Sequence, residues 1–469
     1  MFYNFKVAEK DKDFLRFLWL DDDLETVKTY RMNKHIFGAT SSPGVATYGL
    51  RRIARHHPSK ASDFITRDFY VDDGVTSVDS IKEAITLIRE ASAICQSGNL
   101  RLHKFTSNSA EVLASLPATE RAVQDAELFS GNLPTQRTLG MEWNIDTDIF
   151  HFVNESTEKP ETRRGLLSTV AQIFDPMGLI APITLCGKNI LQETCRQKLD
   201  WDDPIGEERS QEWRSWKKDI EDISGIQVGR HIKPDDFSQI GVMELRHFSD
   251  ASEDGYGTCS YIRMVDVKER VHCSLILAKA RVAPLKLSTM PRMELQGAVS
   301  ATEQSMKLKS ELSINIDREY FWCDSTIALG YIKNDTAKFL PYVSNRVSQI
   351  RSKSKPQDWY NISGALNPAD IASRGSSVKD LIDSCWYTGP KFLWEKDLSQ
   401  MLENQPNSYD VDPADKEVRK PKVHVKSTAL KEKQDSVKVE NFSTWASLIR
   451  GARQMRMIAK RAKQGLKPI

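Results

Sequence analysis

Four acidic side chains stand where predicted strands and helices meet. Asp250 lies in the predicted strand "HFSDAS", among apolar and small neighbours, and Glu294 lies in the first turns of a helix that Pro291 opens. Asp324 follows the apolar strand "FWC", and Asp370 begins a helix in "NPADIASRG". A carboxylate inside an apolar strand is unfavourable unless it is paired or binds a metal. The order strand, helix, strand end and helix therefore predicts that the four carboxylates share one site.

The four predicted carboxylates have the chemistry of a metal site. Hard divalent cations prefer oxygen ligands of this kind. Two such ions about 4 Å apart can activate a water and stabilise the leaving oxygen in phosphodiester hydrolysis. Each acid alone has a simpler interpretation, because an Asp at the start of a helix is commonly an N-cap. The set of four predicts a site for two ions, either Mg²⁺ or Mn²⁺.

A second acidic pair, Asp72 and Asp73, lies in the segment "FYVDDGVTSV". An Asp-Gly step between two runs of strand-forming residues indicates a β-hairpin in any protein. From these residues alone, two interpretations stay open: a metal-binding pair and a turn that happens to be acidic.

The segments that must position the four acids follow the order of a mixed sheet. From residue 241, three consecutive segments have the pattern of antiparallel strands. A helix follows from Pro291 to about Leu312, and after it come the strand "REYFWCDS", the short helix "TIALGYIKN" and the strand "DWYNIS". Strands followed by alternating helices and strands predict a mixed sheet with flanking helices.

The upstream part of the chain has a different pattern. Residues 1–110 alternate between strand-like and turn-like segments, and residues 110–240 are mostly helical around the strand pair "LGMEWNIDTDIFHFV". The apolar helical stretch that follows this pair is predicted to break at Pro176 and Pro182. The predicted fold class is therefore multidomain, α/β and α+β.

Composition narrows the function classes. The chain has 469 residues, a formal net charge of +2 and a pI near 8.0, so a nucleic-acid surface would have to be local. Its seven cysteines include no C-x-x-C pair, which argues against a disulfide framework or a zinc knuckle. The sequence has no apolar run of about 18 residues, so no membrane span is predicted, and its first residues lack the pattern of a signal peptide.

The downstream motifs resemble those of a known family. The segment 244–375 resembles the RNase H domain of BEL/Pao LTR retrotransposons in "FSDASEDGYGTCSYIR", "LILAKARVAPLKLSTMPRMELQGA", "WCDSTIALGYIKN" and "NPADIASRG". The resemblance implies that Asp250, Glu294, Asp324 and Asp370 are the metal-binding carboxylates, and that the RNA strand of an RNA–DNA hybrid is cleaved. Many such domains carry a loop histidine before the last Asp; here the only histidine between Met264 and Asp370 is His272, in a predicted strand.

The upstream motifs resemble the reverse transcriptase of the same elements. "FYVDDGVTSV" resembles the palm hairpin, which implies that Asp72 and Asp73 bind metal and that Tyr70 contacts nucleic acid. "HIFGATSSPGVATYGL" resembles the preceding stretch, in which Phe37 and Gly38 lie near nucleotide and template. In the family a third metal-binding Asp and the fingers precede the stretch that begins here at residue 1. Polymerase activity is therefore not expected from this chain alone.

Basic residues suggest where nucleic acid binds. Four of them lie between two of the acids and could contact the hybrid backbone, with a solvated edge as the alternative: Lys279, Arg281, Lys286 and Arg292. Residues 403–440 are polar and are predicted to form a linker, in which Asp415 is solvated. A basic amphipathic helix is predicted over 443–467, where it contacts either nucleic acid or a protein partner.

The predicted organisation has four parts. They are a truncated palm and thumb (1–145), a helical connection (146–240), an RNase H-like domain (241–380), and a polar linker with a basic helix (381–469). The predicted function is that of a retrotransposon Pol fragment that hydrolyses RNA in hybrids and carries an incomplete polymerase. Its partners are nucleic acid and other parts of the polyprotein, without a membrane. The resemblance implies a cytoplasmic or virus-like-particle location.

Two other functions stay open at this point. The first is an inactive nucleic-acid-binding remnant of a retroelement. The second is a peptidase, although the aspartic-protease sequence D-[ST]-G is absent.

Overall fold

The computed structural model forms two compact units, Met1–Arg419 and Lys420–Ile469. It describes all residues except 23–24, 123–134, 139–140, 155–157, 235, 287, 313, 407, 420–443 and 464–469. Among the helices of the described ranges, none is long and apolar enough to cross a bilayer.

Small strand pairs and helices make up residues 1–122. Strand β1 (Arg16–Leu20) pairs with β2 (Val27–Arg31), and the hairpin consists of β3 (Phe69–Tyr70) and β4 (Asp73–Gly74). The helices are α1 (Ser42–Ala54), α2 (Lys60–Arg67), α3 (Ile81–Ser97) and α4 (Ala110–Ala114). Serine hydroxyls at the N-caps of α2, α3 and α4 accept backbone N–H groups that the first helical turn leaves unpaired.

The connecting part combines a small sheet with long helices. Strands β5 (Thr135–Thr138), β6 (Met141–Asn144), β7 (Ile149–His151) and β8 (Gln227–Gly229) form an antiparallel sheet in that order. The predicted strand pair is confirmed as β6 and β7, whereas β8 was not predicted. Helices α5 (Arg163–Gln172), α6 (Ala181–Arg196) and α7 (Glu207–Asp219) lie between β7 and β8 in the chain.

One predicted helix break is wrong. Pro182 does not interrupt a helix but stands in the first turn of α6, where its missing N–H costs no hydrogen bond. The interruption lies wholly before it, between Gln172 and Ala181, and includes Pro176.

A five-stranded mixed sheet carries the four acids. Its strands are β9 (Ile240–Ala251), β10 (Gly255–Asp266), β11 (Val271–Val282), β12 (Arg318–Cys323) and β13 (Trp359–Asn361), in the spatial order β11-β10-β9-β12-β13. The first three are antiparallel, and β12 is parallel to both β9 and β13. The predicted mixed α/β fold is confirmed.

Helices flank this sheet. They are α8 (Met290–Glu311), α9 (Thr326–Lys333), α10 (Pro341–Lys353), α11 (Ala369–Arg374), α12 (Val378–Asp383) and α13 (Ser399–Glu403). Helices α8 and α9 lie where the sequence predicted them; α10 was not predicted. Helix α14 (Trp445–Lys463) belongs to the second unit, and its Trp445 side chain is exposed.

The connecting helices and the large sheet share one core. A single cluster of buried side chains includes Leu166, Ile183 and Trp213 from the connecting helices and Phe248 and Trp322 from the sheet. The predicted division at 240/241 therefore does not coincide with a break in the core.

The outer edge of β11 is covered by other segments. The amide N–H of Ala278 donates to the carbonyl of Met177 (2.8 Å), and the amide N–H of Leu275 donates to the carbonyl of Tyr387 (2.9 Å). At Gly178, which has a φ of +72°, a Cβ would lie 1.9 Å from the carbonyl oxygen of Ala278. Glycine is therefore required for this close approach, which satisfies the edge of the sheet.

Residues 405–419 are not a solvated linker. Tyr409 and Val411 pack against a buried cluster of the sheet domain, and the Glu417 side chain is buried. Asp415 accepts a hydrogen bond from the hydroxyl of Tyr331, so the prediction that it is solvated is wrong. The polar composition of this segment did not reveal that two apolar side chains pack against the domain and that two acids have hydrogen-bond partners. The rest of the predicted linker, 420–440, lies outside the described residues.

Candidate active site

Parallel pairing brings Asp250 and Asp324 to the same edge of the sheet. Strands β9 and β12 pair in parallel, with Cys323 opposite Ser249. Asp250 follows Ser249, and Asp324 follows Cys323. The two carboxyls are close enough to share a hydrogen bond. The sequence predicted each of these two positions at or near a strand end, and the register explains why they meet.

Glycines let two helices approach these acids. Gly297 lies one turn after Glu294 on α8, and a Cβ there would lie 3.1 Å from the carbonyl oxygen of Asp250. Gly257 on β10 faces α11, where a Cβ would lie only 2.5 Å from the Cβ of Ala372. Because both positions lack a side chain, α8 and α11 can seat against the sheet and bring Glu294 and Asp370 towards Asp250.

Two carboxyl oxygens at the centre of this group lack partners. Potential ligand atoms of Glu294, Cys323 and Asp324 lie within 4.8 Å of one another. Among the described residues, Oε2 of Glu294 and Oδ1 of Asp324 are buried and accept no hydrogen bond. A buried oxygen without a partner is costly, and a divalent cation is a partner that two carboxylates can share. The residues present therefore fit an oxygen-bound divalent cation.

The thiol in this group is a weaker candidate for a ligand than the acids. Burial raises the pKa of Cys323 well above its usual range, so the sulfur is held as a neutral thiol. Hard divalent cations prefer oxygen. The carboxyl oxygens are therefore the better candidates for ligands, and the buried Cys323 lies beside them.

Burial dominates the electrostatics of the carboxyl groups. It raises the pKa of Asp250 to about 7, opposed by the hydroxyl of Ser373, which donates to Asp250. It raises the pKa of Glu294 to about 9, with further contributions from the charges of Asp250 and Asp324. It also raises the pKa of Asp324. A bound cation would favour the charged forms and reverse these shifts.

Asp370 differs from the other three acids because it has a basic partner. The Arg374 side chain, one turn later on α11, donates to Oδ1 of Asp370 over 2.5 Å. The Asp370 hydrogen bond is the largest contribution that raises the pKa of Arg374, and the negative charges of Asp250 and Asp254 add to it. Arg374 thus places positive charge beside the carboxyl group.

Sequence reasoning missed three residues that support the acids. Arg374 and Ser373 stand four and three residues after Asp370, which is the helical spacing that could have revealed them. The amide of Asn367 donates to the carbonyl of Ser249 over 3.1 Å and also hydrogen-bonds Asp324, which opposes the rise of the pKa of that carboxyl group.

The predicted nucleic-acid contacts of this part fall into two groups. Lys279, Arg281 and Lys286 are exposed. Arg292 is bound to Glu417 through two hydrogen bonds of 2.7 and 3.2 Å and lies over the ring of Tyr342. Contacts of all four with nucleic acid stay predictions.

His272 does not lie with the acids. It stands on β11 opposite Met264, between the rings of Phe237 and Trp394, and burial lowers its pKa. As predicted from its position in a strand, His272 is part of the sheet.

The upstream acidic pair lies on a short hairpin. Val71 and Asp72 form the turn, and Asp73 pairs with Tyr70 as the first residue of β4. The Asp-Gly step thus lies after the turn and not within it. Both acids are exposed, and burial together with Asp72 raises the pKa of Asp73. Among the described residues, the only group with metal-ligand spacing includes neither acid.

The other upstream predictions fall on exposed positions. Phe37 is 79% exposed and Tyr70 is 72% exposed. Gly38 has a φ of +92°, and no atom lies within 4 Å of where a Cβ would stand. The predicted contacts of Phe37 and Gly38 with nucleotide and template, and of Tyr70 with nucleic acid, stay predictions.

Comparison with known proteins bears on the middle of the chain. Residues 162–325 match the sequence model of the family described as the Pao retrotransposon-like RNaseH-like domain. This match spans α5 to the end of β12 and crosses the predicted boundary at 240/241. No curated protein matches the chain.

Solved RNase H structures show local similarity. The N-terminal RNase H domain of a Mycobacterium tuberculosis protein is 12% identical, with 28% of this chain and 95% of that chain covered and a TM-score of 0.20. RNase H1 from Halobacterium salinarum is 14% identical, with 31% and 100% covered and a TM-score of 0.18. LC11-RNase H1 in complex with an RNA/DNA hybrid is 13% identical, with 28% and 92% covered and a TM-score of 0.18.

Proposed function

Because residues 162–325 form a Pao retrotransposon-like RNaseH-like segment, we propose that the chain hydrolyses the RNA strand of RNA–DNA hybrids. One observation carries the proposal: carboxyls from β9, α8 and the end of β12 meet around two buried oxygens without partners. Such oxygens suit a divalent cation, and phosphodiester hydrolysis is chemistry that carboxylate-bound cations support.

The residues have distinct roles in this proposal. Asp250, Glu294 and Asp324 would hold Mg²⁺ or Mn²⁺, with Asp370 completing the set for two ions. When bound, these ions would activate water and stabilise the leaving oxygen. Ser373 orients the Asp250 carboxyl by donating to it.

Arg374 adds a role that the four acids cannot fill. Its guanidinium neutralises part of the Asp370 charge. It is 62% exposed, so it can also face the phosphates of a substrate.

The test is cleavage of a labelled RNA–DNA hybrid in Mg²⁺ by the full chain and by Asp250→Asn. We expect cleavage of the RNA strand that disappears in the variant, because Asn cannot supply a charged ligand. Asp383→Asn changes an exposed acid at the end of α12 and is the matched control. A folded wild-type chain that cuts no hybrid would replace the proposal with a nucleic-acid-binding remnant.

We propose a second, more limited function for the hairpin: it is a reverse-transcriptase palm hairpin. The observation that favours it is the backbone of Val71, whose φ is +58°. A β-branched residue in this region is strained, and such strain is concentrated at functional sites. The test is binding of a labelled primer–template in Mg²⁺ by the full chain and by D72N/D73N; equal binding by both would contradict this proposal.

One arrangement among the described residues bears on the peptidase alternative. Ser260, His247 and Glu319 do form a Ser–His–carboxylate chain, with Ser260 Oγ 2.7 Å from His247 Nδ1 and Glu319 Oε1 3.3 Å from His247 Nε2. However, the Ser260 and His247 side chains are fully buried beneath α8. A peptide cannot reach this serine. The Ser–His–carboxylate arrangement therefore has a structural role.

A further inference from the structure

We propose that a groove beside β11 binds phosphates of the nucleic-acid backbone outside the cleavage centre. The groove has a volume of about 590 Å³. Three lysines from three elements line it: Lys188 of α6, Lys279 of β11 and Lys307 of α8. The inference rests on the proposed function, because it concerns the same substrate at a second site.

The three lysines form no close ion pair with an acid in the part of the chain that the structure describes. Among the described residues, no ion pair within 4 Å involves any of them, and the Lys188 ammonium donates only to the hydroxyl of Thr184, over 3.3 Å. A phosphate oxygen would supply the missing counter-charge.

The acids that line the groove are engaged elsewhere. The Asp175 carboxylate accepts the backbone N–H groups of Leu179 and Ile180 over 2.8 and 2.9 Å. Glu303 pairs with Lys353 of α10 over 3.6 Å. With three lysines and two acids in its wall, the groove carries a net positive charge.

Like charges are held together in this groove. The pKa of Lys279 is lowered, first by burial and then by the positive charge of Arg281; Glu303 opposes this shift and Lys307 adds to it. Burial also lowers the pKa of Lys188. An anion placed between the three lysines would relieve both effects, whereas solvent alone relieves neither fully.

The groove lies at a useful distance from the four acids. Across the sheet, Asp250 is opposite Gly257, and Gly257 is opposite Ala280, the neighbour of Lys279. Two strand spacings make about 10 Å. Lys279 pairs with Thr258, whose hydroxyl contacts Gln304, so Lys279 projects on the face of the sheet that α8 covers, and α8 also carries Glu294.

The test is the salt dependence of hybrid binding by the full chain, measured by fluorescence anisotropy without divalent ions so that no cleavage occurs. The variant is K188Q/K279Q/K307Q. Each phosphate contact contributes about 0.9 to the slope of log K against log salt, so the slope should fall by about 2.7. The ratio of variant to wild-type Kd should shrink roughly forty-fold between about 50 and 200 mM salt.

Two matched variants separate the site from bulk charge. K218Q/K379Q/K391Q removes the same charge from exposed lysines outside the groove and should leave the slope unchanged. K188R/K279R/K307R keeps the charge and should keep the slope. If K188Q/K279Q/K307Q does not fold, the double variant K279Q/K307Q replaces it. This variant changes only exposed side chains and should lower the slope by about 1.8.

The outcomes separate this inference from the proposed function. An equal slope of log K against log salt for the groove and control variants overturns the proposed phosphate site. Hybrid cleavage by the wild type would still support the proposed function. A wild-type chain that neither binds nor cleaves hybrid overturns both. A lower slope confined to the groove variant supports the site.

Discussion

Replacing Glu294 by Gln should stabilise the metal-free chain, and the gain should grow with pH. The Glu294 side chain is buried, and its pKa is raised from 4.5 to about 9 by burial and by the charges of Asp250 and Asp324. The folded state therefore keeps a proton that the unfolded state loses above pH 4.5. Since the unfolded state binds fewer protons in that window, the free energy of unfolding falls as pH rises towards 9.

The magnitude follows from the size of the shift. Each pH unit between the two pKa values costs about 1.4 kcal/mol. At pH 7 the accumulated loss is about 3 kcal/mol, since 7 − 4.5 is 2.5 units. Gln resembles the protonated acid in shape and does not titrate, so Glu294→Gln should recover most of this loss.

Denaturant unfolding in EDTA at several pH values measures the difference between variant and wild type. The difference should be near zero around pH 4.5 and should rise to about 3 kcal/mol at pH 7. Added Mg²⁺ should stabilise the wild type more than the variant, because Gln removes a charged ligand. A difference that stays flat between pH 5 and pH 8 would refute the placement of Glu294 among buried carboxyls.

Other substitutions test the supporting structure. Gly257→Ala should destabilise the fold by about 1–3 kcal/mol in denaturant unfolding and reduce hybrid cleavage, because its Cβ would lie 2.5 Å from that of Ala372. Glu417→Gln should lower the free energy of unfolding by about 1–3 kcal/mol, because it weakens the two hydrogen bonds to Arg292; an unchanged melting curve would contradict this. Val71→Gly should raise the free energy of unfolding by about 1 kcal/mol because it removes the penalty of a positive φ; a loss of stability would contradict the strain.

Local patterns in the sequence predicted most of the elements that carry the acids. Strands β9 to β12 and helices α8 and α9 lie where alternation, proline and helical spacing place them. These signals are local, since each depends on residues a few positions apart. The convergence of Asp250 and Asp324 required the parallel register of β9 and β12, which no local pattern contains.

The features that sequence analysis missed depend on contacts between distant residues. Polar composition suggested a linker after residue 403, but two apolar side chains, Tyr409 and Val411, anchor it. Glu417 became buried because Arg292, far away in sequence, supplies its partner. Burial of a charged residue depends on its partner, and composition records only the residue itself.

The connecting helices are a structural part of the proposed nuclease. They share a buried core with the sheet, and the carbonyl of Met177 satisfies an N–H at the open edge of β11. Removing them would expose both apolar surface and an unpaired strand edge. The same helices contribute Lys188 to the basic groove beside that strand. One contact surface thus completes the sheet and contributes to the proposed groove, and the family match, which begins at Thr162, includes both the connecting helices and the sheet strands up to β12.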